Sequence, residues 1–154
     1  MRIRRHKAAI IGVGNPLMGD DGAGILVLKM LIGKGLPRGI EIVDAGTGGM
    51  TLLHLLTKYD PVVIVDAVDM GLKPGELRTF SPDDVISLKE ERKFSLHEAD
   101  VFEMIMIARQ LGQCPAKITI CAIQPRTIRS ARGLSREVRE KMPDLVARVL
   151  VCCH

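Results

Sequence analysis

Aromatic residues are nearly missing from this chain: three Phe, one Tyr and no Trp occur among 154 residues. Phe80, Phe94, Phe102 and Tyr59 cannot build a core, so Ile, Val, Leu, Met and Ala must. They also offer few platforms on which nucleic-acid bases could stack. The four cysteines, Cys114, Cys121, Cys152 and Cys153, include no C-x-x-C pair, which argues against a structural zinc site. Adjacent Cys152 and Cys153 give no disulfide framework. No apolar run approaches the roughly 20 residues that a membrane helix needs. The basic opening MRIRRHK soon meets Gly12, Gly14 and Asn15, which does not read as a signal peptide. A soluble protein of a reducing cytoplasm is expected, with no membrane role. A strong charge excess is lacking too, since the formal net charge is +4. The positive residues gather in two places, at Arg2, Arg4, Arg5 and Lys7 and at Arg126, Arg129, Arg132 and Arg136. With no nucleic-acid module in sight, a solvated surface or a docking patch for an acidic protein partner fits them better than nucleic acid.

The chain is 47% hydrophobic and 26% charged, the balance of an ordinary globular protein. Its length suits a single domain over 1–154, with a core over about 8–150. The apolar pattern then gives the elements. AAIIGV (8–13) reads as a strand buried on both faces. A helix follows over 22–34, with Ile25, Leu28, Leu31 and Ile32 on one face and Gly33 and Gly35 ending it. IEIVD (40–44) is a second strand, and a short helix over about 50–58 is stopped by Pro61. VVIVDAV (62–68) is a third buried strand, and Glu76 to Phe80 an antiparallel edge strand. Residues 82–95 are polar and irregular. A helix over about 97–111 turns Val101, Met104, Ile105 and Ala108 inward. KITICAI (117–123) is the next strand, and the last helix covers about 135–151. Strands alternating with helices imply a three-layer α/β/α fold. Its sheet should be twisted and mainly parallel, with helices on both faces.

The chemistry concentrates in IIGVGNPLMGDDGAG, residues 10–24. A strand there runs into a glycine-rich loop with two adjacent acids, Asp20 and Asp21, and then into a helix. In open α/β sheets ligands bind beyond the carboxyl ends of the strands. Acids at that edge point to a bound cation or to proton chemistry. Two more strands end the same way. The second ends in Asp44, before Ala-Gly-Thr-Gly-Gly. The third carries Asp66 within an apolar run, where a carboxylate is costly unless paired, hydrogen-bonded or bound to metal. A structural cap and a functional acid remain equal readings of Asp66 on its own. Asp69 is a turn acid.

His97 is the one histidine placed to join the acids, at the start of a helix in FSLHEAD; spacing alone does not select it over a solvent-exposed residue. His6, His54 and His154 are less well placed. Asp21, Asp66 and His97 together would supply two oxygens and one nitrogen, a set that suits zinc or nickel with positions left open. Other sites fail on the residues. A G-x-G-x-x-G fingerprint would need glycine where Leu17 stands, and no G-x-x-x-x-G-K-[ST] or G-x-S-x-G occurs. Cys121 reads as a core thiol.

The order GVGNPLMGDDGAG, IVDAGTGG, VIVDAVDMGLKPGELRTFSPDD, a lone His before a helix, then AIQP, resembles the [NiFe]-hydrogenase maturation endopeptidases over roughly residues 8–150. VDAVDMGLKPGELRTFSPDD is most similar to the branch serving hydrogenase 3, the hydrogenase of formate hydrogenlyase. DAGTGG is similar to the D-G-G-T-type box of other branches. The resemblance implies a protease that removes a short carboxy-terminal peptide from the hydrogenase large-subunit precursor once nickel has been inserted. It implies that the nickel is the recognition element, bound by Asp21, Asp66 and His97. Asp21 stands where the family has Glu or Asp, and has the shorter reach. Asp44 maps to an acid linked to cleavage and substrate recognition. The same residues could also take a divalent cation such as zinc, nickel or cadmium in the free enzyme; whether the free protein holds one is left open by the sequence.

Two mechanisms remain open on these residues. In one, the substrate's metal or a nearby carboxylate activates a water, with Asp44 as positioning group or base. In the other, Asp21 and Asp66 form an aspartic-type dyad sharing a proton, in keeping with the family's place among aspartic peptidases. The Gly46–Gly49 loop could offer amides to substrate, or merely permit a tight turn. A nickel-binding maturation chaperone without catalysis, and a nucleotide-binding module, are the readings outside proteolysis.

Overall fold

The structure, a computed structural model, describes residues 7–84 and 99–153. Its elements run β1 (Ala8–Gly12), α1 (Ala23–Leu31), β2 (Ile40–Asp44), α2 (Gly49–Lys58), β3 (Val62–Ala67), β4 (Leu77–Phe80), α3 (Ala99–Gln110), β5 (Ile118–Ile123) and α4 (Arg136–Cys152). A short 3-10 turn, Gly19–Gly22, precedes α1. The strands form one sheet in the order β2-β1-β3-β5-β4. The first four of these are parallel, and β4 runs antiparallel against β5, pairing Leu77 with Ile123 and Phe80 with Ile120. The α/β fold, the mainly parallel sheet and the antiparallel edge strand are as the apolar pattern predicts.

The period-two alternation of strand side chains divides the core between two faces. Ile10, Val63, Val65, Cys121 and Ile123 pack with α1 and α4. Ala9, Ile11, Val62, Ile64, Ile118 and Ile120 pack with α2 and α3. On α3, Val101, Ile105 and Ala108 are buried as the helical spacing requires, while Met104 is only partly so. With both faces covered, VVIVDA is buried at all six positions of β3, which is why the run shows no polar alternation.

Two local features differ from the sequence expectation. The α1 helix is shorter than 22–34, because Gly19–Gly22 winds as a 3-10 turn and the chain leaves the helix after Leu31. At 82–84, expected to be irregular, the chain makes a helical turn. The Ser81 amide donates to Asp84 Oδ2 at 2.9 Å and the Asp84 amide donates to Ser81 Oγ at 3.3 Å. That reciprocal capping box holds the turn despite the polar composition; the rest of the stretch expected to be irregular, 85–95, lies outside the described residues.

The order of strands places the site. From β1 the chain passes through α1 to β2 on one side, and then through α2 to β3 on the other side of β1. The connections therefore diverge between β1 and β3, and α1 and α2 lie on opposite faces. Such a divergence leaves a crevice beyond the carboxyl ends of the two strands. Gly24 lets α1 start directly against it. A Cβ at Gly24 would lie 2.4 Å from the Val65 carbonyl oxygen and 2.5 Å from that of Val13, so any side chain would push the helix off the strand ends.

Candidate functional site

A cleft of about 260 Å³ opens at that divergence. Val13, Gly14, Asn15, Met18 and Asp21 of the first loop line it, with Asp66 and Ala67 at the end of β3, and Thr47, Val101 and Ile128. Two of the sequence candidates, Asp21 and Asp66, thus share one cavity. Asp66 is 7% exposed and follows Val62 and Ile64 on the α2–α3 side of the sheet, by strand alternation. Asp21 is half-buried, and its Oδ2 accepts the Asn15 amide at 2.9 Å. The loop folds back on itself at Gly14, which has φ +145°; a Cβ there would lie 1.9 Å from the Asp21 carbonyl oxygen. Glycine is required for Asp21 to come this close to the end of β1.

Asp44 sits apart from the lining residues. It is exposed, and its Oδ1 accepts the Gly46 amide at 2.7 Å. This Asx turn shapes the 45–49 loop, in which Gly46, Gly48 and Gly49 all have positive φ, and the loop delivers Thr47 to the cleft. His97 lies outside the described residues. In sequence it stands two positions ahead of Ala99, where α3 begins, and Val101 of the first turn of α3 lines the cleft. His6 and His154 are also outside the described residues. His54 lies on α2 and is not a lining residue of the cleft.

Asp20 has a different duty from its neighbour. It is 1% exposed. Its Oδ2 accepts the Arg126 amide at 2.8 Å, the Ser135 hydroxyl at 2.8 Å and the Thr127 amide at 3.4 Å, and its Oδ1 accepts the Ser135 amide at 2.7 Å. A buried carboxylate is tolerable when donors surround it in this way. Asp20 thereby ties the first loop to the segment after β5 and to Ser135, the residue just ahead of α4. Backbone bonds extend the seam: Gly19 donates to Ala131 at 2.9 Å, and Ala131 to Leu17 at 3.1 Å.

Gln124 pins a second wall. Only 5% exposed, it accepts the Met70 and Leu72 amides through Oε1 at 2.7 and 3.2 Å, and its Nε2 donates to Asp69 Oδ1 at 3.2 Å. The loop that leaves β3 just after Asp66 is thus held to the end of β5. Asp69 serves as a turn acid, its Oδ1 also accepting the Gly71 amide at 3.2 Å.

Sequence reasoning singles out neither Thr47 nor Ile128; it includes Gln124 only within AIQP, and it names Asp20 beside Asp21 as an acid at the sheet edge, whereas the structure buries Asp20 in a seam. Thr47 carried a signal, since it lies in the DAGTGG box after β2. Ile128 is an isolated apolar residue in a polar segment and carried none. Cys121 is a buried core residue, as expected, but its sulfur lies 3.6 Å from that of Cys152. Burial and the neighbouring Cys152 push the Cys121 thiol well up, so it is a poor nucleophile. No helix of the described residues is long and apolar enough to cross a membrane.

Several known proteins are similar to this chain in sequence and fold. A family model described as hydrogenase maturation protease matches residues 25–151. A hydrogenase expression/formation protein, HupD, from Rhodobacter capsulatus is 34% identical over 132 residues, covering 85% of this chain; the chain spans only 63% of that relative's length. A putative hydrogenase maturation protease from Methanocaldococcus jannaschii is 34% identical over 157 residues, covering 96% of this chain and 97% of its own. Among solved structures, the hydrogenase maturating endopeptidase HybD from E. coli superposes with a TM-score of 0.80 at 28% identity, over 95% of this chain and 91% of that one. With most of its length matched by that model and by a relative covered over 97% of its own length, the chain belongs to the hydrogenase maturation protease family.

Proposed function

We propose that this protein is a cytoplasmic endopeptidase that removes a carboxy-terminal peptide from the nickel-loaded large-subunit precursor of a [NiFe] hydrogenase, with the precursor's nickel as the recognition element. The observation that carries the reading is the meeting of Asp21 and Asp66 in one cleft at the divergence of β1 and β3. A carboxylate from the first loop and one from the end of β3 are hard oxygen ligands that line one cleft, a donor set suited to a divalent cation presented from outside. His97 supplies the nitrogen ligand in this reading. Zinc, nickel or cadmium would occupy the same residues of the free enzyme.

Each residue then has a task. Asp21 and Asp66 grip the cation and so set the height of the precursor chain in the cleft. That fixes the scissile bond against the walls, and fixed geometry removes much of the entropic barrier. The substrate's nickel contributes Lewis acidity toward the attacking water or the peptide carbonyl. An oxygen of Asp21 or Asp66 that does not engage the cation takes the proton of the water. Asp44 is a positioning residue, which acts through the Gly46 amide and the loop bearing Thr47.

The test incubates nickel-loaded and nickel-free precursor with wild type, Asp21→Ala, Asp66→Ala and His97→Ala, and follows loss of the peptide by mass spectrometry. Cleavage of the loaded precursor alone, by wild type alone, is the expected result. Precursor binding without shortening would assign the protein as a nickel-binding chaperone. Cleavage by His97→Ala with both Asp variants dead would assign an aspartic dyad.

A further inference from the structure

We propose that the segment after β5 is a cationic lip in which Arg129 and Arg132 bind carboxylates of the precursor segment flanking the cleaved bond. The proposal rests on the endopeptidase reading above and names what the substrate must carry beside its metal. Residues 126–136 contain four arginines and no acid. Two of the four are engaged: Arg126 with Glu137 at 2.9 Å, and Arg136 with Glu140 at 2.9 Å. Arg129 and Arg132 are exposed and have no acidic partner among the described residues.

Their place in the fold gives these two charges a use. Ile128 lines the cleft together with Asp21 and Asp66, so Arg129 follows directly on a cleft residue. Met18, another lining residue, bridges to Ala131, which precedes Arg132. The Asp20 carboxylate clamps the segment at both ends, at Arg126 and at Ser135. A clamped loop presents its charges without a further loss of backbone entropy when it binds. Acids thus line the cleft, and the segment that runs beside it carries the two exposed arginines. A uniformly acidic ligand would be repelled by the acids, and a uniformly basic one by the arginines. A chain that carries a divalent cation and, beside it, carboxylates satisfies both. Arginine suits the second task because its planar fork pairs with a carboxylate bidentately. Nucleic acid fits less well, because the segment has no aromatic side chain on which a base could stack.

The experiment measures precursor binding by surface immobilisation and cleavage kinetics in parallel, for wild type, Arg129→Gln/Arg132→Gln, and Lys29→Glu. Lys29 is exposed in the last turn of α1, away from the cleft. The double variant should bind about tenfold more weakly and raise KM by the same factor, with kcat within about twofold of wild type. Lys29→Glu should match wild type. Raising ionic strength from about 0.1 M to about 1 M shortens the screening length from about 10 Å to about 3 Å and should erase the difference. Precursor in which the carboxylates flanking the cleaved bond are converted to amides should bind wild type as weakly as the double variant binds the natural precursor. Combining both changes should add nothing further. Equal binding by wild type and double variant would overturn the lip. So would additive losses, or a loss confined to binding of a random-sequence DNA duplex. Because binding is read separately, a wild type that binds through these arginines but never cleaves would remove the protease reading and leave the lip standing.

Discussion

Asp20 and Asp21 are neighbours in sequence and differ in everything the fold does with them. Asp20 points into the seam between the first loop and the segment after β5, where four donors surround it and solvent is excluded. Asp21 lines the cleft with Asp66, and its Oδ2 accepts the Asn15 amide of its own loop. A carboxylate saturated with amide and hydroxyl donors is a structural staple, since its lone pairs are already committed. A carboxylate that lines a cavity lies within reach of a ligand that enters it. The GDDG turn separates the two directions because successive residues of a 3-10 helix point about a third of a turn apart.

The contrast can be broken from the cleft side first. Asp21→Ala and Asp66→Ala should each lower cleavage of nickel-loaded precursor by about a thousandfold, the scale for loss of a directly acting group. Their thermal unfolding midpoints should stay near that of wild type. Loss of folding in step with loss of cleavage would place these acids with Asp20 as staples.

The staple side comes next. Asp20→Ala strands the Arg126 and Ser135 amides and the Ser135 hydroxyl in a buried seam, and should cost about 3 kcal/mol. For a chain of this size, calorimetry should then show a midpoint lower by roughly 10 °C. Gln124→Ala should cost less, about 1–2 kcal/mol, because it frees the Met70 and Leu72 amides in a loop nearer to solvent. Its effect on cleavage should appear in KM if the loop after Asp66 shapes the cleft.

The smallest effect sharpens the contrast by lying far from both acids. Tyr59 at the end of α2 donates to Glu41 of β2, and Glu41 also pairs with Lys7 at 3.0 Å. The hydrogen bond to Glu41, with burial, pushes the Tyr59 hydroxyl from 10.0 up to about 12. The same bond and the Lys7 contact hold the Glu41 carboxyl below its usual range. Because the folded-state value of Tyr59 is raised, its contribution is complete below about pH 10 and is lost as pH rises through about 12. Tyr59→Phe should therefore be about 1 kcal/mol less stable than wild type at pH 8. The two unfolding curves should converge toward pH 12, while cleavage at neutral pH stays unchanged.

Much of the fold was legible because its determinants are local. A strand buried on both faces must be apolar throughout, so AAIIG, VVIVDA and ITICAI announced themselves, and Asp66 stood out as the exception within one of them. The two acids that meet in the cleft followed from the rule that parallel strands end at the ligand edge. What could not be read depends on distant partners. Asp20 and Ser135 are 115 positions apart, and nothing near Asp20 distinguishes it from Asp21. Gln124 and Met70 are 54 apart, and Cys121 and Cys152 are 31 apart. Such pairs become visible only once the sheet order is known. Asp44 lay between these cases: its position at a strand end was evident, but its turn toward the Gly46 amide was not. His97 falls outside the described residues, so its part in the site still rests on the resemblance.

The decisive comparison is Asp20→Asn against Asp21→Asn, with kcat on nickel-loaded precursor measured at a temperature where circular dichroism shows both variants folded. Each substitution keeps the shape and removes the charge. Asp20→Asn should retain most of the wild-type kcat while unfolding at a lower temperature. Asp21→Asn should unfold close to wild type and cleave almost nothing. A folded Asp20→Asn that is inactive, beside an Asp21→Asn that cleaves normally, would reverse the assignment of the two acids and contradict the site described for this protein.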